Sequence, residues 1–287
     1  MTAVNINPVE RDLSVNGITL RVVTRGQRTS PERTVMLIHG ITANSHYWAD
    51  FGPFLAARGW FVIAPDLRGR GRSEKPAHGY GLPFHANDLL SLLDALDLPT
   101  VHLVGHSLGA LIGLYLAALY PDRLARLVLV DAGGKLPPDT YQAIAPALAR
   151  LGHPYPSLDA YLTAMRESSP LPWHPFGERY YRYDAEIQAD GTVRSTVPRA
   201  AITEEQAAIA LTRLETLPGL VTAPTLIVRA TVGLLGGERG QILPRAEADR
   251  LLSAIAGSRL VEIPEANHYT VVLAGSFAQA VSGFLEA

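Results

Sequence analysis

The chain has 287 residues, 47% of them hydrophobic and 18% charged, with a formal net charge of −2. This excludes a disordered chain, which needs low hydrophobicity and high net charge, and leaves no basic field to hold nucleic acid. With no cysteine, disulfides, thiolate zinc sites and a cysteine nucleophile are excluded as well. The length admits two domains or one large α/β core. Residues 1–12 are polar and show no apolar signal-peptide region. The longest apolar stretch, Leu108–Tyr120, is short of the roughly 20 residues that span a bilayer. The expectation is a soluble, cytoplasmic protein with no membrane partner.

In chain order, Leu13–Thr24 reads as two short strands around Asn16-Gly17, a hairpin-turn pair. Apolar runs at Thr34–Ile38, Trp60–Ala64, Val101–Val104, Leu127–Val130, Thr225–Arg229 and Arg259–Ile263 read as strands. Their near-continuous hydrophobicity predicts burial on both faces of a parallel sheet. Helical patterns lie between and after them, at Trp48–Arg58, Pro83–Leu96, Leu108–Tyr120, Pro244–Ala256 and Gly275–Leu285. Strand and helix in alternation predict a mostly parallel, doubly wound α/β sheet. Residues 133–222 break the rhythm. They hold amphipathic segments (Thr140–Leu151, Leu158–Glu167, Thr203–Leu214), an aromatic-rich piece (Trp173–Tyr183) and a hairpin signal at Asp190-Gly191. The chain therefore divides into a core, 1–132 with 223–287, and a mainly helical cap, 133–222, inserted in it.

The chemistry centres on Gly105-His106-Ser107-Leu108-Gly109. It follows one predicted strand and opens a predicted helix, the context a nucleophile elbow requires. Glycines on both sides let the turn close, and the helix N-terminus favours negative charge there.

With this motif the chain resembles the α/β-hydrolase superfamily over nearly its whole length. His39-Gly40 after the first buried strand, Asp66–Ser73 after the second and Asn267-His268-Tyr269 after the last support the resemblance. It implies a serine nucleophile, Ser107, with His268 as general base. It also implies an oxyanion hole from the N–H groups of Ile41 and Leu108. No H-E-x-x-H and no His–Asp cluster at ligand spacing appears, so no metal is expected, and no cofactor. Haloalkane dehalogenases and epoxide hydrolases of this fold carry Asp at the elbow, where this chain has serine. His39 is expected to orient its loop, and Asp66–Ser73 to be scaffold.

The acid departs from the common pattern. Most relatives place Asp shortly after the strand matching Thr225–Arg229, but here that stretch is Ala230-Thr231-Val232-Gly233-Leu234-Leu235. The candidates are Glu238, in a glycine-rich loop, and Asp131, which ends the strand Leu127–Val130. Asp131 is preferred because a strand end is rigid. Catalytic Ser107, Asp131 and His268 form the expected set.

Pocket residues are expected from the cap and the elbow: His106, Tyr161, Met165, Trp173 and Tyr181. His46, His153 and His174 are weaker candidates, and Arg166, Arg179 and Arg182 are candidates for a substrate carboxylate. The predicted function is hydrolysis of a small or medium carboxylic ester through an acyl-enzyme. Amide, lactone or carbon–carbon hydrolysis by the same serine is the alternative, and a non-catalytic ligand receptor a remote one. The partner is expected to be a small molecule.

Overall fold

The computed structural model describes residues 6–134, 136–168, 173 and 175–287. The chain opens with β1 (Val9–Val15) and β2 (Ile18–Arg25), then β3 (Thr34–Ile38), α1 (Phe51–Ala56), β4 (Phe61–Pro65) and α2 (Leu82–Ala95). The elbow region follows as β5 (Val101–His106), α3 (Leu108–Leu119) and β6 (Leu124–Val130). Next come α4 (Pro138–Ala149), α5 (Leu158–Ser168), α6 (Pro175–Asp184), β7 (Ala185–Ile187), β8 (Val193–Ser195) and α7 (Arg199–Leu211). The chain finishes with β9 (Thr225–Ala230), α8 (Arg245–Ala254), β10 (Arg259–Ile263) and α9 (Gly275–Glu286).

One eight-stranded sheet carries the molecule, in the order β1-β2-β4-β3-β5-β6-β9-β10. From β4 to β10 every pair is parallel; β2 runs antiparallel to β1 and β4. Every residue of β3, β5 and β9 is buried, as their near-continuous apolar sequences predict, with His102, His106 and Arg229 buried among them. Side chains alternate between two cores. Leu103 packs with α2, α3 and α8 on one face; Val104 packs with α1 and α9 on the other. The second core continues into α5 and α6 through Tyr161, Leu162, Met165 and Phe176. Between β6 and β9 no described strand joins the main sheet; β7 and β8 pair with each other, and Val193 of β8 also bridges Tyr155.

The doubly wound parallel sheet is as the sequence predicts, and Arg259–Ile263 matches residue for residue. The hairpin turn also forms, with Asn16 and Gly17 both at positive φ (48° and 77°). Strand β1 starts at Val9, earlier than expected from its polar residues. It is an edge strand whose Glu10 and Asp12 pair across to Arg21, so its outer face needs no apolar pattern. The apolar run Leu108–Tyr120 is the central helix, α3, apolar all round because it is enclosed on nearly all sides. No helix among the described residues is long and apolar enough to cross a membrane.

The chain runs from β3 to β4 on one side and then to β5 on the other. This reversal opens a crevice at the carboxyl ends of β3 and β5, where ligands bind in open α/β sheets.

Candidate active site

Ser107 stands between β5 and α3 with φ 57° and ψ −118°, a conformation non-glycine residues avoid. The surrounding packing enforces it. A Cβ on Gly105 would overlap the Gly109 carbonyl, and one on Gly109 would overlap the Ile38 carbonyl of β3. The two motif glycines thus let α3 press onto the sheet, and the turn has no other way to close. The Ser107 N–H donates to the Val130 carbonyl at 3.1 Å, which ties the elbow to β6. Leu108 is the first residue of α3, so its N–H has no intrahelical acceptor.

Asp131 follows β6 directly, also at positive φ (51°), with only 2% of its surface exposed. Its N–H donates to Val228 O at 2.7 Å, and its Oδ1 accepts from the Ala230 N–H at 2.9 Å. The carboxylate is therefore oriented by the end of β9. Its other oxygen, Oδ2, lies 2.8 Å from His268 Nδ1. An ionised carboxylate only accepts, so Nδ1 carries the hydrogen and Nε2 is left as the basic nitrogen. Glu238, the competing acid, is exposed in its loop. Gly233, at the more usual acid position, is closed off: a side chain there would run into the Arg239 carbonyl.

His268 sits in a loop after β10. The Asn267 side chain folds this loop by accepting from the N–H groups of Tyr269 and Thr270 at 2.9 and 3.1 Å. The His268 carbonyl accepts from His106 Nε2 at 2.8 Å, and the two imidazoles lie 4.4 Å apart. Burial, then the neighbouring His268, lowers the His106 pKa well below its usual value, so His106 is neutral. Tyr47 completes this cluster, with its hydroxyl 3.3 Å from His106 Nε2.

The turn after β3 is held by His39. Its Nε2 accepts from the Leu67 N–H at 3.0 Å, and its Nδ1 donates to the Gly40 carbonyl at 2.8 Å. Burial pushes the His39 pKa down to about 4, consistent with a neutral ring in that tautomer. The Asp66–Ser73 loop is scaffold in the same sense. Asp66 accepts from the N–H groups of Ser45 and Arg72 and from the Tyr183 hydroxyl.

A cavity of about 1060 Å³ opens over these groups. Ser107, His268, Ile41, Leu108 and His106 line it, with Met165 from α5 and Tyr181 from α6. Two expected pocket residues do not. Tyr161 is fully buried, its hydroxyl given to Asp184 Oδ2 at 2.5 Å. Trp173 stacks on Tyr181 from behind, 5.8 Å between centroids. Both turn to packing because the aromatic cluster of α5 and α6 is thicker than one layer. His153 lines the cavity, whereas His46 stacks on Tyr183 elsewhere; His174 lies outside the described residues. Arg166, Arg179 and Arg182 are exposed, and Arg179 and Arg182 pair with Asp50 and Glu178. Two other arginines line the cavity, Arg250 of α8 and Arg150, which is buried at the end of α4 and bonds the Thr42 carbonyl of the turn after β3. Nothing in its helical periodicity marks it.

The family model described as the α/β-hydrolase fold matches residues 33–274. Uncharacterised proteins of Mycobacterium bovis and Mycobacterium tuberculosis are 40% identical over 134 residues, a stretch that is 45% of this chain and 39% of theirs. A 2-(acetamidomethylene)succinate hydrolase of Mesorhizobium japonicum is 28% identical across 97% of this chain and 96% of its own. The crystal structure of E-2-(acetamidomethylene)succinate hydrolase superposes with a TM-score of 0.85 at 25% identity, over 98% of this chain and all of the other. By the matched model and the geometry together, the chain belongs to the α/β-hydrolase family.

Proposed function

We propose that the protein is a serine hydrolase that cleaves a small or medium carboxylic ester through an acyl-enzyme on Ser107. The observation that carries this reading is the Asp131–His268 hydrogen bond, which leaves His268 Nε2 as base on the wall of the cavity that also holds Ser107. Ser107 Oγ attacks the ester carbonyl while His268 Nε2 takes its proton. The N–H groups of Ile41 and Leu108 hold the oxyanion, usually the largest single contribution to such catalysis. The tetrahedral intermediate collapses, the C–O bond breaks, and His268 returns the proton to the leaving alcohol. Water then attacks the acyl-enzyme with His268 again as base, releasing the acid and restoring Ser107. Residues 133–222 act as the cap that walls the cavity, and the partner is a small molecule. We propose further that it works as a soluble, cytoplasmic enzyme.

A second reading, cleavage of a C–N bond by the same serine, is favoured by one observation. The near full-length likeness is to an enzyme named for hydrolysing 2-(acetamidomethylene)succinate. An amide differs in its leaving group, which must be protonated by His268 before it departs.

The test is fluorophosphonate labelling together with a panel of p-nitrophenyl esters, lactones and amides, on wild type and Ser107→Ala. Wild type should be labelled and should turn over esters, and Ser107→Ala should do neither. Equal turnover in both proteins would sink the proposal. A higher kcat/KM on amides than on esters would select the second reading.

A further inference from the structure

Three successive carbonyls of the turn after β3 are each held by a buried side-chain donor. Gly40 O accepts from His39 Nδ1 at 2.8 Å, Ile41 O from Arg70 Nε at 2.9 Å, and Thr42 O from Arg150 Nη2 at 2.8 Å. A peptide unit is planar, so fixing the Gly40 carbonyl also fixes the Ile41 N–H across the same unit. Arg70 fixes the next unit. With the planes on both sides of its Cα anchored, Ile41 has little freedom in φ or ψ.

Unlike the neutral His39, the two arginines are charged, and each is paired with a buried carboxylate. Arg70 Nη2 pairs with Glu205 Oε2 of α7 at 2.9 Å, and both side chains are 0% exposed. His85 of α2 meets the same oxygen at 2.6 Å. Burial opposes ionisation of Glu205, but His85 and Arg70 outweigh it and hold the carboxyl down at about 2. Arg150 pairs with Asp184 at the end of α6, Nε to Oδ2 at 3.4 Å. Asp184 also accepts from the hydroxyls of Tyr161, Ser195 and Thr196. Glu205, Arg150 and Asp184 all belong to the stretch between β6 and β9, whose helices also line the cavity through Met165, Tyr181 and Gln206.

We propose that this stretch sets the oxyanion turn as well as walling the cavity: Arg70 and Arg150 are positioning residues, locked by Glu205 and Asp184, that hold the two peptide units following the one that carries the Ile41 N–H, and so complete the anchoring that His39 begins. The proposal rests on the reading of Ser107 as nucleophile and Ile41 as oxyanion donor. A buried guanidinium without its carboxylate would turn toward another partner, and the carbonyl it held would be released. The donor would then sit wrongly for the transition state while ground-state binding stayed nearly the same.

The experiment compares full-length wild type with Glu205→Gln, Asp184→Asn and Asp88→Asn on an ester that wild type hydrolyses. Asp88→Asn is the control. It breaks the similarly buried Arg68–Asp88 pair in the loop that carries Arg70; that pair is made by side chains, whereas Arg70 meets Arg68 only at its backbone carbonyl. Glu205→Gln and Asp184→Asn should lower kcat by about ten-fold or more, with KM within about two-fold. Asp88→Asn should lower the melting temperature and keep kcat within about two-fold. Unchanged kcat in Glu205→Gln, or an equal kcat loss in Asp88→Asn, overturns the proposal. If Glu205→Gln does not fold, the apolar replacement Arg70→Met/Glu205→Leu serves instead, since a buried pair can be exchanged for apolar residues without loss of fold. That double variant should be folded and low in kcat; a wild-type kcat there overturns the proposal. A wild type that is not labelled at Ser107 refutes the serine-hydrolase reading and this proposal together. A labelled wild type with an unaffected Glu205→Gln refutes this proposal alone.

Discussion

Asp131 carries two demands at once. Its Oδ1 is tied to the Ala230 N–H and its Oδ2 to His268, so both its position and the histidine tautomer depend on one carboxylate. Asp131→Asn offers an amide where an acceptor is needed and favours the wrong tautomer. We expect kcat to fall by up to the order of 10⁴-fold, as the equivalent acid-to-amide change does in serine proteases. Glu238→Gln, on an exposed loop, should leave kcat unchanged. A steady-state comparison of the two variants decides the assignment, and loss confined to Glu238→Gln would overturn it. The sequence narrowed the acid to these two residues but did not choose on contact. Its preference for Asp131 rested on the rigidity of a strand end; in the folded chain it is Asp131 that lies 2.8 Å from His268 Nδ1, while Glu238 is exposed.

At the scale of elements, the elbow is a contact between α3 and the sheet. Gly109 lies against the Ile38 carbonyl and Gly113 against Leu103 and Leu127, so α3 packs at backbone distance. Gly109→Ala should push the helix outward and cost about 1–3 kcal/mol, the usual range for overpacking. Because Ser107 rides on the first turn of α3, kcat should fall with it. Urea unfolding and ester kinetics on the same preparation check both effects; wild-type values in both would show that α3 has more room than its packing indicates. The helix and strands here were legible in the sequence because their signals are local: apolar period, glycine spacing, a turn between them. The aromatic segment was less legible. Within Trp173–Tyr183, residues 175–183 belong to α6, and the described rings divide between cavity wall and packing according to depth, which composition does not carry.

For the molecule as a whole, buried neutral histidines tie stability to pH. His39 is neutral with its pKa lowered by burial to about 4, and His106 is shifted in the same direction. The unfolded chain takes up protons near the ordinary histidine value, where the folded one does not. Stability is therefore complete above about pH 6.5 and is lost as the pH falls toward 4. His39 alone links to a loss on the order of 3 kcal/mol over that window. The urea midpoint should drop between pH 7 and pH 5, before most carboxylates titrate. A flat midpoint over that range would show that the rings are not held neutral.

The amino-acid sequence by itself determined the doubly wound sheet, the elbow at Ser107 and the histidine loop at His268. Each of these is written within a few consecutive residues, where hydrophobic period and turn chemistry act. Tertiary structure brought the preferred Asp131 to His268, and it alone decided which aromatics face the cavity and that Arg70 and Arg150 hold the turn beside Ser107. Those pairings join residues far apart in the chain: 137 positions for Asp131 with His268, 135 for Arg70 with Glu205, 108 for Arg150 with Thr42. A charged side chain has no role of its own in such a site. Its role is set by the group that faces it once water has been excluded, and only the folded chain brings that group into place.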